Sequence, residues 1–113
     1  MSMIELQDKF AIELASSIDA RWDSIQVHYE NMVVNEHRHQ IFTAFYLAGR
    51  AENEFTLSLE CLDLLRDLNK QQPENQVEKW TWFEFVMDNT GMYKFDYKYG
   101  IPPHVATRIK YMN

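Results

Sequence analysis

At 113 residues, 46% of them apolar and with a formal net charge of −6, the chain has the size of one domain that can bury a core without metal or disulfide staples. Its single cysteine, Cys61, excludes an internal disulfide. No apolar run approaches the roughly 20 residues of a membrane span, and the start MSMIELQDKF lacks the pattern of a secretion signal, so a cytoplasmic protein is expected.

Residues 3 to 20 predict an amphipathic helix, with Leu6, Phe10, Leu14 and Ile18 at four-residue spacing and Glu5, Asp8, Lys9 and Glu13 mostly outside. The period then changes to two, where Ile25, Val27 and Tyr29 alternate with Ser24, Gln26, His28 and Glu30 in a half-buried strand. A polar cluster, Asn35 to His39, interrupts the pattern before Ile41 to Leu47 resumes it as the second strand of a hairpin closed by Ala48-Gly49-Arg50. From Glu52 to about Gln71 the spacing reads as a helix. Its apolar set, Phe55, Leu57, Leu59, Cys61, Leu62, Leu64, Leu65 and Leu68, covers more than half the circumference and needs a second surface, by default the first helix. Cys61 lies in this apolar pattern and reads as a buried, inert thiol.

Residues 71 to 76 form a polar loop that leads into the stretch Trp80 to Tyr99, a second hairpin around which the chain is expected to be organised. Strand alternation puts Trp80, Trp82 and Val86 on one side and Thr81, Phe83, Phe85 and Met87 on the other, a central strand apolar on both faces. Asp88-Asn89-Thr90-Gly91 supplies the turn. The second half, with Tyr93, Phe95, Tyr97 and Tyr99 opposed to Lys94, Asp96 and Lys98, borders solvent on one face. After Gly100-Ile101-Pro102-Pro103, residues His104 to Met112 can form a short helix started by Pro103. The expectation is an α+β two-layer sandwich of order αββαββ, with an antiparallel four-stranded sheet built from two β-hairpins and its helices on one face.

Chemistry is sparse. There is no glycine-rich phosphate loop, no serine elbow and no Cys-His signature. His37 and His39 share a face on an extended chain and His28 can approach across the hairpin, but Glu30 and Glu36 show no recognised metal spacing. A polar hairpin tip is the better reading, and neither catalysis nor a cofactor is expected. The aromatics read mainly as core, because no basic patch interleaves them as a base-stacking surface requires.

The acidity is uneven: up to Asp88 sixteen acids face seven bases, whereas beyond it Asp96 faces Lys94, Lys98, Arg108 and Lys110. Such a field repels phosphate backbones, disfavours direct nucleic-acid binding and steers towards basic partners.

The residues Trp80-Thr81, Phe83-Glu84-Phe85, Asp88, Gly91 and Tyr93-Lys94-Phe95-Asp96-Tyr97-Lys98-Tyr99, preceded by Leu65-Arg66, resemble the YezG-like family of bacterial immunity or antitoxin proteins over about the C-terminal half of the chain. The resemblance implies a cytosolic protein that binds a toxin domain, commonly a nuclease, and blocks it without catalysis or cofactor. A nuclease presents a basic groove, which carboxylates can occupy. Charge and expected exposure nominate Glu60, Asp63 and Asp67 on the second helix, Glu74 and Glu78 in the loop, and Glu84 and Asp88 on the hairpin, with Tyr93 and Tyr97 as interface aromatics. The free protein is expected as a monomer or weak dimer. The rival reading is a small acidic secretion chaperone that dimerises through the surplus arc around Leu57, Leu64 and Leu68, and a third is a metal-dependent enzyme using His28, His37 and His39.

Overall fold

β1 (Ser24–Val34) has strand neighbours on both sides and organises the molecule, described over residues 2–71 and 79–111 in a computed structural model. It pairs with β2 (His37–Ala48) and with β4 (Trp82–Asp88), while β3 (Ala51–Phe55) and β5 (Tyr93–Lys98) form the edges. The result is one five-stranded sheet of order β3-β2-β1-β4-β5, antiparallel throughout. The helices are α1 (Met3–Ser16), α2 (Leu59–Lys70) and α3 (Pro103–Lys110).

The α+β class stands, but the order is αβββαββα, and the expected four strands become five. The extra strand comes from the stretch assigned to the start of the second helix. In Ala51 to Phe55, Ala51, Asn53 and Phe55 alternate with Glu52 and Glu54, so the period is two, and the segment pairs with β2 from Ala44 to Ala48. α2 begins only after Ser58, whose hydroxyl accepts a 3.1 Å hydrogen bond from the Cys61 N–H as an N-cap. The polar cluster shrinks to a two-residue turn. Asn35 and Glu36 take positive φ of 50° and 68°, a pair of values suited to a tight hairpin, and His37 to His39 continue the ladder.

One sheet face carries the main core. Ile25, Val27 and Tyr29 line up with Ala44 on β2 and with Phe83, Phe85 and Met87 on β4. Phe10 of α1 stands edge-on to Phe85 at 5.2 Å between ring centroids. Fully burying an aromatic such as Phe10 contributes about 1.5–3 kcal/mol. α2 adds Cys61, Leu65 and Leu68 to the same cluster and packs against α1, as the width of its apolar arc required. Burial raises the Cys61 thiol above its ordinary pKa. Leu57 and Leu68 are buried within the chain and Leu64 is half-buried, so the arc offered for dimerisation is largely used internally.

β4 is an inner strand, but its outer face is covered only in part, at the Trp82 end. Phe83, Phe85 and Met87 are buried while Val86 is 47% exposed. Trp80 departs from the expected side. It precedes the regular strand, escapes its alternation, and packs in the core against Phe83 at 5.6 Å.

The helices do not share one face. α3 is reached through Gly100, whose φ of 80° turns the chain back from the end of β5, with Thr81 Oγ1 donating to the Gly100 carbonyl at 2.5 Å. It then lies against Glu30 of β1, which points away from the core side chains of its neighbours Tyr29 and Asn31. No helix among the described residues is long and apolar enough to cross a membrane.

The Asp88 turn is held as its sequence suggests. Asp88 Oδ1 accepts from the Thr90 hydroxyl at 2.5 Å, the Thr90 N–H at 2.9 Å and the Met92 N–H at 3.2 Å, and Gly91 follows at φ 90°. The Thr90 hydroxyl and these N–H groups favour the ionised form and hold the Asp88 carboxyl below its ordinary value. A depressed carboxylate stabilises the fold above its unfolded value, about 3.9, and that contribution is lost as pH falls through the lower folded value. Melting temperature followed from pH 6 to pH 2 is therefore expected to show a shallower acid decline in Asp88→Asn than in the parent chain.

Candidate functional site

The densest polar cluster among the described residues lies on the sheet face opposite the main core, centred on a buried carboxylate. The Glu30 side chain is 0% exposed. It is enclosed because α3 has an uncapped start that needs acceptors. Pro102 at the N-cap makes no side-chain cap bond, and Pro103 at the first helical position has no N–H to satisfy. The next two N–H groups, of His104 and Val105, donate to Glu30 at 3.1 Å and 2.9 Å. A strand residue more than seventy positions away thus does the work of an N-cap, with its negative charge at the favourable end of the helix.

Two imidazoles converge on the same carboxylate. His28 Nε2 and His104 Nδ1 each lie 2.5 Å from Glu30 Oε2. His28 and Glu30 are two apart on β1 and therefore share a face, and the register places Glu84 of β4 directly opposite His28. Glu84 Oε1 lies 2.9 Å from His28 Nδ1. His28 thus bridges two carboxylates through its two ring nitrogens, an arrangement that the doubly protonated ring satisfies by donating at both. The Trp82 ring stands 5.3 Å from His28, and Lys98 Nζ lies 4.8 Å over the Trp82 ring from its other neighbour, β5.

Burial alone would push the Glu30 carboxyl up. Hydrogen bonds from His28, His104 and the two backbone N–H groups outweigh it and hold the group below its ordinary value. For His28 burial would lower the pKa, but the Glu30 and Glu84 carboxylates outweigh it and raise it. Both shifts favour a charged pair in a water-poor site. Chemically the cluster is a proton-holding network and a potential set of metal donors, since one atom from each of His28, Glu30 and His104 lies within 4.8 Å of the others.

This grouping differs from the histidine set read from the sequence. His37 and His39 do share the face of His28, but His28 is opposite Thr43, four residues along β2 from His39, a separation of roughly 13 Å at strand rise. His37 is exposed at the turn, and His39 is buried with neither ring nitrogen hydrogen-bonded among the described residues. Sequence reasoning missed His104. The signal was a helix opening on Pro102-Pro103 with no capping side chain, alongside a His-x-Glu pair on the outer face of a strand.

The residues nominated for partner binding do not form one surface. Glu60, Asp63 and Asp67 are exposed on α2, over the core face, where Asp63 pairs with Arg66. Glu84 and Asp88 lie on the opposite sheet face. Glu74 and Glu78 fall outside the described residues. Tyr93 and Tyr97 are half-buried beneath α1, with the Tyr93 hydroxyl donating to Asp8 and the Tyr97 hydroxyl accepting from Gln7 at 2.7 Å. Burial and the Asp8 carboxylate push Tyr93 up to about 12.

No protein-family model matches the chain, and no curated protein matches it either.

Replacing Glu30 by alanine removes the acceptor of two backbone N–H groups and the counter-charge of His28. A loss of about 3 kcal/mol is expected in urea unfolding. His104→Ala removes a half-exposed partner and should cost about 1 kcal/mol or less.

Proposed function

We propose that the chain is an immunity protein that binds a basic toxin domain, a nuclease, and inactivates it by covering its active or substrate-binding site. It acts in the cytoplasm, by occupancy and without a reaction of its own. One observation carries the reading: the half of the outer sheet face beyond α3 has the chemistry of a protein-binding surface for a cationic partner. Side chains directly opposite one another across the strands form two continuous rows there. The first runs Glu54, Phe45, Gln26, Val86 and Lys94, and the second Glu52, Leu47, Ser24 and Asp88. Phe45 and Leu47 are half-buried and Val86 is exposed, at the middle of the face, while Glu52, Glu54, Glu84 and Asp88 are exposed around them. An apolar centre with a charged rim is the general anatomy of protein interfaces, and acids at the rim raise association rate towards a basic groove. The resemblance of the Trp80 to Tyr99 hairpin to YezG-like immunity proteins agrees with this use.

The first test is co-purification of the tagged chain with the product of the adjacent upstream gene, scored for a stable one-to-one complex and for rescue from that product's toxicity. Within the complex, Val86→Asp and the double variant Glu52→Lys/Glu54→Lys should each weaken binding at least tenfold, on the order of 1.4 kcal/mol. Association should slow as salt rises, and less steeply in the lysine variant. Salt-independent binding, or loss confined to Glu60, Asp63 and Asp67 variants, would overturn the sheet-face assignment. A harmless secreted neighbour that binds would transfer the reading to a secretion chaperone.

A further inference from the structure

We propose that His28, Glu30 and His104 form a binding site for one divalent transition-metal ion of the zinc type, which fastens α3 to the sheet. The site is inferred from its own donors and not from what the open sheet face binds, although Glu84 borders both. Its donors are His28 Nε2, His104 Nδ1 and Glu30 Oε2, already gathered with both nitrogens 2.5 Å from the one oxygen. Two imidazoles and one carboxylate suit zinc and its first-row neighbours, whereas magnesium and calcium prefer all-oxygen sets.

Outer contacts that orient metal ligands are present as well. Glu84 holds the far nitrogen of His28 at 2.9 Å, and the His104 and Val105 N–H groups fix the Glu30 carboxylate. Two of the ligands stand on the middle strand of the sheet, so the set is rigid on one side. On the other, the His104 side chain is 54% exposed, which gives an ion a path in and leaves the remaining coordination position to water. Metal–ligand bonds of about 2.0–2.1 Å require donors roughly 3.3 Å apart in a tetrahedral site. Turning the exposed His104 ring about its own side-chain bonds supplies that widening on one side, and a rotation of the Glu30 carboxylate against the His28 ring must supply it on the other.

The fold also has a use for such an ion. α3 has eight residues and one buried side chain among the described set, Val105, which lies outside the main core cluster. A helix this short is marginal on its own, so its seat depends on the Glu30 cluster. An ion joining His104 of α3 to His28 and Glu30 of β1 would lock that seat.

The test is calorimetric titration of Zn²⁺ into the full chain after removal of metals with a chelator, together with visible absorption of the Co²⁺ form. One ion per chain is expected, with Co²⁺ bands of a low-coordinate nitrogen–oxygen site and no competition from millimolar Mg²⁺. Bound at a hundredfold excess over Kd, Zn²⁺ should raise the melting temperature by about 10 °C. His104→Ala should weaken Zn²⁺ binding at least tenfold in a chain that still folds, and Glu84→Gln should weaken it about 10- to 100-fold. His37→Ala should leave it unchanged. Absence of stoichiometric binding would overturn the site and leave the cluster as a hydrogen-bonded ion network. Binding that survives His104→Ala, or that is lost in His37→Ala, would overturn it by placing the ion elsewhere.

Discussion

A buried carboxylate is the constraint on which one side of this molecule depends. Glu30 lies on the middle strand with no exposed side-chain surface, and an unpaired charge there would cost several kcal/mol. It is tolerated because it receives two imidazoles and two backbone N–H groups, and because the N-terminal end of a helix dipole points at it. The dependence is mutual. α3 starts on two prolines without a cap of its own, so it has a satisfied N-terminus only where it meets Glu30. The chain after β5 is thereby committed to crossing Trp82 and returning to β1, and Gly100 provides the reversal.

The two faces of the sheet follow different physics. On the α1–α2 face, packing is apolar and redundant: Phe10, Tyr29, Phe83, Phe85 and Phe95 contact one another ring to ring, so burial is spread over many contacts. Polar groups at its margin are satisfied locally, as where the Tyr29 hydroxyl accepts from Asn31 at 3.1 Å and Gln40 at 2.9 Å. On the other face little is redundant. A short helix covers the end around Glu30, and the rows through Gln26 and Ser24 have no covering element among the described residues. Both sheet edges are short and carry charge, Glu52 and Glu54 on β3 and Lys94 and Asp96 on β5, which discourages strand addition and leaves the face itself open.

What could be read from the sequence tracks which forces are periodic. α1, β1, the Asp88 turn, the β4–β5 hairpin and the α3 start were legible because each announces itself by a period, a turn residue or a proline. β3 was not, since five residues are too few to separate alternation from the first turn of the helix that follows, and the Ser58 cap that divides them is one residue among several polar ones. The placement of α3 was not legible either. It depends on an acceptor more than seventy residues away, and nothing in local pattern distinguishes Glu30 from Gln26 or His28 as a solvated outer residue. The same non-locality explains the histidines. Spacing joined His37 to His39, whereas register and topology join His28 to His104.

Glu84 marks the border between the two roles proposed for the outer face. It stands opposite His28 in the register, and its carboxylate orients that ring, yet it is exposed beside the rows that present Phe45, Val86 and Glu54. A change at Glu84 therefore alters the environment of Glu30 and the charge of the open face together. Val86, Glu52 and Glu54 touch only the second. The α2 carboxylates are separated from both by the thickness of the core, and with Asp63 paired to Arg66 their field is partly neutralised at its source. Among the described residues, the open sheet face brings charge, partly exposed apolar side chains and a rigid backbone together. In the proposed role, that coincidence, more than the net charge of −6, is what a basic partner would recognise.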